Sequence, residues 1–195
     1  MQTPTHTLLA LVLLGKRGAP SRNWTVVAGS LAPDMFIYIA WPIYTFGRGE
    51  SQTRFWDETY FQDPGIQLAG AVSNSFPLFG LLAVVGWVAR SRRWARLLWL
   101  FALAALIHLA TDIPVHAEDA HRHFWPLSDW RFHSPLSYWN EAYHARWIRL
   151  GEAVLGLGLC ALLLRRFRKA STQITLGLLA ILYTLMLTYS LFAWL

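Results

Sequence analysis

Along this chain, apolar runs of about twenty residues alternate with shorter polar stretches, and most of the charge sits in those stretches. Residues 174–195, ITLGLLAILYTLMLTYSLFAWL, carry no charge, and neither do residues 68–89, LAGAVSNSFPLFGLLAVVGWVA. As a helix, either run reaches about 33 Å, enough for a hydrocarbon core of about 30 Å. Residues 97–115 are apolar up to His108, and 147–164 are apolar after Glu152. Residues 24–46 are long enough to cross but carry Pro33 and Asp34 near their middle. The apolar segment from Thr3 to Leu14 is too short to span comfortably, so a tilted, re-entrant or partial packed helix is expected there. A cleaved signal peptide is the competing reading. It is disfavoured because basic residues follow the apolar run instead of preceding it. The pattern therefore predicts an all-α, polytopic transmembrane bundle of about five to six membrane segments, a single domain over 1–195. Gly, Pro, Ser and Asn predict turns at 17–23 and 44–52.

Composition agrees with that pattern. The chain is 55% hydrophobic and 14% charged, where soluble domains carry about 25% charge. Its 11 tryptophans suit interfaces that are apolar at one end and wet at the other. The single cysteine, Cys160, lies in an apolar run, which excludes a disulfide framework and a thiolate zinc knuckle. Eleven of the 17 Lys and Arg fall into three groups without an acid: Lys16, Arg17 and Arg22; Arg90, Arg92, Arg93 and Arg96; Arg165, Arg166, Arg168 and Lys169. Two candidate spans separate each successive pair of groups, so all three can lie on one side, the cytoplasmic side by the positive-inside tendency. The outward segments, about 47–67 and about 113–146, then hold eight of the 11 acids. The basic groups read as topology signals, which leaves membrane lipids as partners and no nucleic-acid surface.

The outward side also collects the candidate chemistry. Five of seven histidines lie within residues 107–135. His108 and Asp112 stand four apart on one helix face; Pro114 then disturbs the helix, and His116 follows. Imidazole nitrogen and carboxylate oxygen are ordinary ligands for zinc, and with more carboxylates for iron or manganese. A His–Asp pair that merely ends the helix is the alternative. Asp34, behind GSLAP in mid-span, is costly in lipid unless paired, so it is a functional candidate. His6 can meet it from the outer end of the short first segment. Glu152 sits about one turn into its span, beside Arg149, with a simple ion pair as the rival reading. His121 and His123 can add ligands, or hold a substrate anion with Arg122 and Arg131. Asp119 and Asp129 can orient histidines. The aromatic residues among them also fit an interfacial segment whose histidines are only polar, the favoured reading for His133 and His144.

These residues resemble a family of bacterial inner-membrane metal-dependent hydrolases described as LexA-binding and membrane-associated. That family carries an early histidine, a PD-x-D element after a Gly-rich turn, a central HS element, and an H-x-x-x-D followed by a polar loop. His6 in TPTHTLLA matches the first, and Asp34 in GSLAPDMF the second. IHLATDIPVH supplies His108, Asp112 and His116, and FWPLSDWRF at 124–132 is similar to one subgroup. Phe36 stands where the second acid belongs, and Asn74 in VSNSFPLF where the central histidine does, which thins the ligand set from two metals toward one. The resemblance covers most of residues 1–135. It implies an inner-membrane enzyme with a periplasmic site for a phosphoester or lipid-like substrate. His6, Asp34, His108 and Asp112 would be the ligands and His116 a further ligand or base. Outside the resemblance, Glu152 is a catalytic candidate from its place toward the outer leaflet, and charge and location make Arg122 or Arg131 the group that would stabilise an anionic substrate. The cofactor would be a divalent metal ion, zinc favoured, manganese or iron the alternatives. The rival of another class is a non-enzymatic membrane protein with a structural metal site, or one whose Ser73, Asn74 and Ser75 line an ion or small-solute path opposite Asp34 and His108.

Overall fold

The computed structural model describes residues 1–192, so the last three residues of the 174–195 run lie outside the described residues. In lipid, backbone polar groups must be satisfied within the segment, and each apolar run is accordingly helical. The principal helices are α1 (Thr3–Leu14), α2 (Pro20–Leu31), α3 (Met35–Pro42), α4 (Pro64–Ser73), α5 (Phe76–Val88), α6 (Arg93–Asp112), α7 (Ala145–Arg166) and α8 (Ala170–Phe192). Five stretches are long and apolar enough to cross a membrane: Pro20–Gly47, Pro64–Val88, Arg93–Val115, Ala145–Arg166 and Ala170–Phe192. The chain is a multi-pass helical bundle, without strands among the described residues.

The spans begin earlier than the uncharged runs. Helices accept polar residues in the first turn, and proline suits its first position: Pro20 starts α2 and Pro64 starts α4. The turn expected at 17–23 therefore ends at Ala19. The turn expected at 44–52 shrinks to Arg48–Ser51, because the helical path runs on to Gly47.

Apolar burial drives no association between helices already in lipid, so close packing has to do so. α6 is the centre of the bundle and packs against α5, α2 and α1, while α7 packs against α8. Ala95, Ala102, Ala104 and Ala105 of α6 are fully buried. Gly29 of α2 lies against the Phe101 backbone, and a Cβ on Gly86 of α5 would stand 2.6 Å from Trp99 N. α1 turns out to be a partial packed helix. It is about 18 Å long and wedged among α2, α6 and α7, with Thr5, His6, Leu8 and Ala10 buried.

Three breaks shape the end of the bundle opposite the basic groups. Pro33 sits in a tight turn, Ala32–Asp34, between α2 and α3. Asn74 separates α4 from α5, and its Nδ2 donates to Pro33 O (3.2 Å) and Gly70 O (3.0 Å), tying one break to the other. Pro114 ends α6 in the turn Ile113–Val115. The loop beyond it folds back over these breaks. Phe76 N donates to His123 O (2.8 Å), Ser75 Oγ to Trp125 O (2.5 Å), and Ser134 N to His116 O (3.0 Å).

Candidate metal centre

His6 comes from the second turn of α1, Asp34 from the break before α3, and His108 and Asp112 from the last turns of α6. His116 follows the Pro114 turn. α6 starts among the basic residues, so a rise of about 1.5 Å per residue puts His108 and Asp112 some 22 to 28 Å away, near the opposite membrane face.

Three histidines converge on one carboxylate. Asp112 Oδ1 lies 2.9 Å from His6 Nε2 and 3.4 Å from His116 Nε2, and Asp112 Oδ2 lies 3.1 Å from His108 Nε2. His108 Nε2 is also 3.4 Å from Asp34 Oδ1. The His6 and His108 rings are stacked, centroids 3.6 Å apart. The Met1 amino group is a further neighbour of Asp112 Oδ1, at 2.9 Å. His6 and His108 are wholly buried, whereas the Asp34 side chain is 22% exposed and marks the open side. Asp34 Oδ2 accepts from Thr3 Oγ1, which in turn accepts from Tyr38 OH (2.8 Å).

The remaining ring nitrogens decide what these contacts are. His108 Nδ1 is 2.6 Å from Ser30 O, and a carbonyl only accepts, so Nδ1 carries the proton. His116 Nδ1 donates to Asp119 Oδ2 at 2.7 Å. The Thr111 hydroxyl donates to the Ile107 and His108 carbonyls, so at 2.9 Å it accepts from His6 Nδ1. In each neutral ring the lone pair is then on Nε2, and all three Nε2 atoms face carboxylate oxygens. Lone pairs against carboxylates repel unless a cation or protons lie between them. His6 Nε2 is buried without a hydrogen-bond partner; its contact with Asp112 is close but not aligned as a hydrogen bond. A metal with bonds of about 2.0–2.1 Å holds its donors about 2.9 Å apart in octahedral and about 3.3 Å apart in tetrahedral geometry. The observed separations, 2.9 to 3.4 Å, fall in that range. The ligand atoms of His6, His108 and Asp112 all lie within 4.8 Å of one another. The residues present fit a divalent ion.

Outside the membrane-spanning segments, charge tunes the loop. Burial alone would lower the His116 pKa, but Asp112 and Asp119 outweigh it and raise the value to about 9, so with no cation between them this ring takes a proton on Nε2, the position a metal would occupy instead. Burial, with His116 and His123 nearby, drives His121 down to about 3, so that ring is neutral. Burial also raises the Tyr60 and Tyr138 hydroxyls, keeping them protonated donors. The Tyr138 and His121 rings each lie 5.2 Å from His116, and Phe36 packs on both His121 and Tyr60.

Several expected site residues are placed elsewhere. Buried Glu152 accepts from Gln2 N and Thr5 Oγ1, both at 2.6 Å, and so holds the start of α1 instead of facing the cluster. Arg149 does not pair with it but with Glu141. Arg122 joins Asp129 (3.0 Å) to Gln67 O (2.8 Å), and Arg131 joins Ala120 O (2.7 Å) to Gln67 Oε1 (2.9 Å). Both arginines pin the loop to α4, and Asp129 serves Arg122 instead of a histidine. His123 Nδ1 donates to Asn74 O (3.1 Å) and His133 Nδ1 to Ala117 O (2.8 Å). His144 adopts a left-handed conformation, φ 64°, just before α7. Asn74 and Ser75 are occupied with the helix break. Ser30, Thr111 and Trp139, whose Nε1 donates to Asp119 (3.1 Å), support the cluster without having stood out in the sequence. Only the position of Thr111 beside Asp112 hinted at its part.

No family model, curated protein or solved structure matches this chain.

Proposed function

We propose that this protein is a membrane-embedded, metal-dependent hydrolase with a mononuclear centre formed by His6, His108 and Asp112, completed by Asp34 and His116. The observation that carries this reading is the convergence of three imidazole lone pairs on the Asp112 carboxylate, each ring fixed from behind by a hydrogen bond. A nitrogen-rich set with one or two carboxylates favours zinc, with manganese or iron as alternatives. A divalent ion there would supply a bound water of lowered pKa and polarise a phosphoryl or acyl oxygen. Asp34 faces the open side, where a substrate headgroup would approach. His116, anchored by Asp119, keeps Nε2 for a ligand bond or for the proton of the attacking water. Arg122 and Arg131 are engaged with the loop, and Tyr138, whose ring packs 5.2 Å from His116, keeps its hydroxyl protonated and able to donate. A phosphoester or lipid-like substrate suits this depth in the bilayer, and the resemblance carried by His6, Asp34 and HLATD supports the same family of inner-membrane hydrolases.

The orientation belongs to the same proposal. The basic loops lie in the cytoplasm of a bacterial cell and the histidine-rich loop in the periplasm, by the positive-inside tendency. A reporter fused after Ser134 should behave as periplasmic.

Metal analysis of protein purified without chelator tests the centre. Wild type should carry one equivalent of metal, and His108→Ala and Asp112→Asn should carry almost none. Wild type without stoichiometric metal would sink the reading in favour of a proton-bridged cluster. Stoichiometric metal without turnover on a panel of lipid phosphoesters would favour a structural site.

A further inference from the structure

The cations at the basic end of the bundle sort into two groups by what they touch. Arg22 Nε donates to Leu14 O (2.6 Å), and Arg166 Nη1 to Val12 O (2.7 Å) and Leu11 O (3.1 Å). Leu14 O and Val12 O end α1 with no further turn to accept from, and Leu11 O accepts from Gly15 N (2.9 Å) as well, so both arginines serve as caps. Arg90 does the same for α5, donating to Trp87 O (3.2 Å) with its guanidinium 4.0 Å above the Trp87 ring. Arg92 and Arg93 differ. Neither side chain makes a hydrogen bond or ion pair among the described residues. With Ser21, Trp94 and Leu97 they line a shallow, open cleft between the starts of α2 and α6.

We infer that this cleft binds the headgroup of an anionic phospholipid. Its depth supports this, because the membrane-spanning stretch of α6 begins at Arg93 and the cleft therefore lies at headgroup level. So does its chemistry. Two unpaired guanidiniums match the oxygens of a phosphodiester, and the Ser21 hydroxyl adds a donor. The exposed Trp94 ring and Leu97 face the glycerol and first acyl carbons, as interfacial tryptophans do. The surrounding field is uniformly positive, since the three basic groups contain no acid. It attracts a net negative lipid and disfavours a zwitterionic one carrying an outer ammonium. The site lies at the far end of the bundle from the metal cluster and does not depend on it.

The test uses the full chain in mild detergent, titrated with phosphatidylglycerol or phosphatidylcholine and read by native mass spectrometry. Wild type should retain phosphatidylglycerol in preference to phosphatidylcholine. Each arginine near an anionic surface contributes about fivefold, so Arg92→Ala with Arg93→Ala should weaken phosphatidylglycerol binding about thirtyfold. Arg92→Lys with Arg93→Lys should retain most of it, and Arg165→Ala with Arg168→Ala should change it by less than about twofold. Undiminished binding in the alanine pair overturns the inference, as does equal affinity for the two lipids. Full displacement by millimolar inorganic phosphate would also overturn it, in favour of a simple anion site. Should the alanine pair fail to fold, the wild type decides: phosphatidylglycerol affinity must fall as salt rises to about 0.5 M, and salt-independent binding overturns the inference.

Discussion

At the scale of single residues, the cluster is defined less by the histidines and acids that meet in it than by what stands behind them. His108 and Asp112 were legible from their spacing of four, because helix geometry alone places them on one face. The rest of the arrangement was not, since Ser30 O, Thr111 and Asp119 act through contacts that tertiary packing creates. Glu152 shows the converse, a conspicuous intramembrane acid whose oxygen is taken up by the first turn of α1. Sequence ranks acids by rarity in a span but cannot tell a ligand from a helix holder. The supporting hydrogen bonds carry a measurable consequence. Thr111→Val removes the acceptor of His6 Nδ1 while keeping the side-chain shape, so the ring is free to turn. Loss of such a partner typically lowers metal affinity by about 10- to 100-fold. Competition with a chelator should show that drop in Thr111→Val and in Asp119→Leu, with helical content unchanged. Wild-type affinity in both variants would mean that the rings are not oriented from behind.

At the scale of elements, hydropathy marked the spans well because lipid imposes a length and forbids unsatisfied backbone. It was less informative about close approach, which depends on a partner helix. α5 contains two glycines that differ only in this respect. A Cβ on Gly86 would stand 2.6 Å from Trp99 N and 2.8 Å from Ala95 O, whereas one on Gly80 meets nothing within 4 Å. Gly86→Ala must therefore push α5 off α6 and lower the thermal midpoint of the purified protein. Gly80→Ala should be neutral or gain up to about 1 kcal/mol from helix propensity. Equal effects of the two would show that α5 and α6 are not packed as described. α1 makes a second case. Its short length predicted that it would not span, but not that Glu152 of α7 would anchor it. Glu152→Leu should release the start of α1, displace His6 and reduce metal content. Glu152→Gln, which still accepts from Gln2 N and Thr5 Oγ1, should keep both metal and turnover. Turnover lost with metal retained in Glu152→Gln would instead return Glu152 to the chemistry.

At the scale of the whole molecule, one end of the bundle gathers cations and the other gathers histidines, acids and aromatic rings. That polarity was legible because charge asymmetry accumulates over many residues and survives errors at any one of them. It also explains why a short α1 is useful. A helix that starts within the bundle can carry His6 to a depth where α6 delivers His108, while its last carbonyls are capped by Arg22 and Arg166 at the basic end. The two ends should therefore be chemically distinguishable in an intact cell. The only native cysteine, Cys160, is 1% exposed and should stay silent toward a membrane-impermeant thiol reagent. Leu127, 81% exposed on the histidine-rich loop, and Arg168, exposed between α7 and α8, are suitable reporters. Leu127→Cys should be labelled in intact cells, and Arg168→Cys only after the membrane is opened. The reverse pattern would invert the orientation and put the histidine cluster on the cytoplasmic face. Labelling of both in intact cells would break the odd number of crossings that separates the two ends, and with it the five-span arrangement itself.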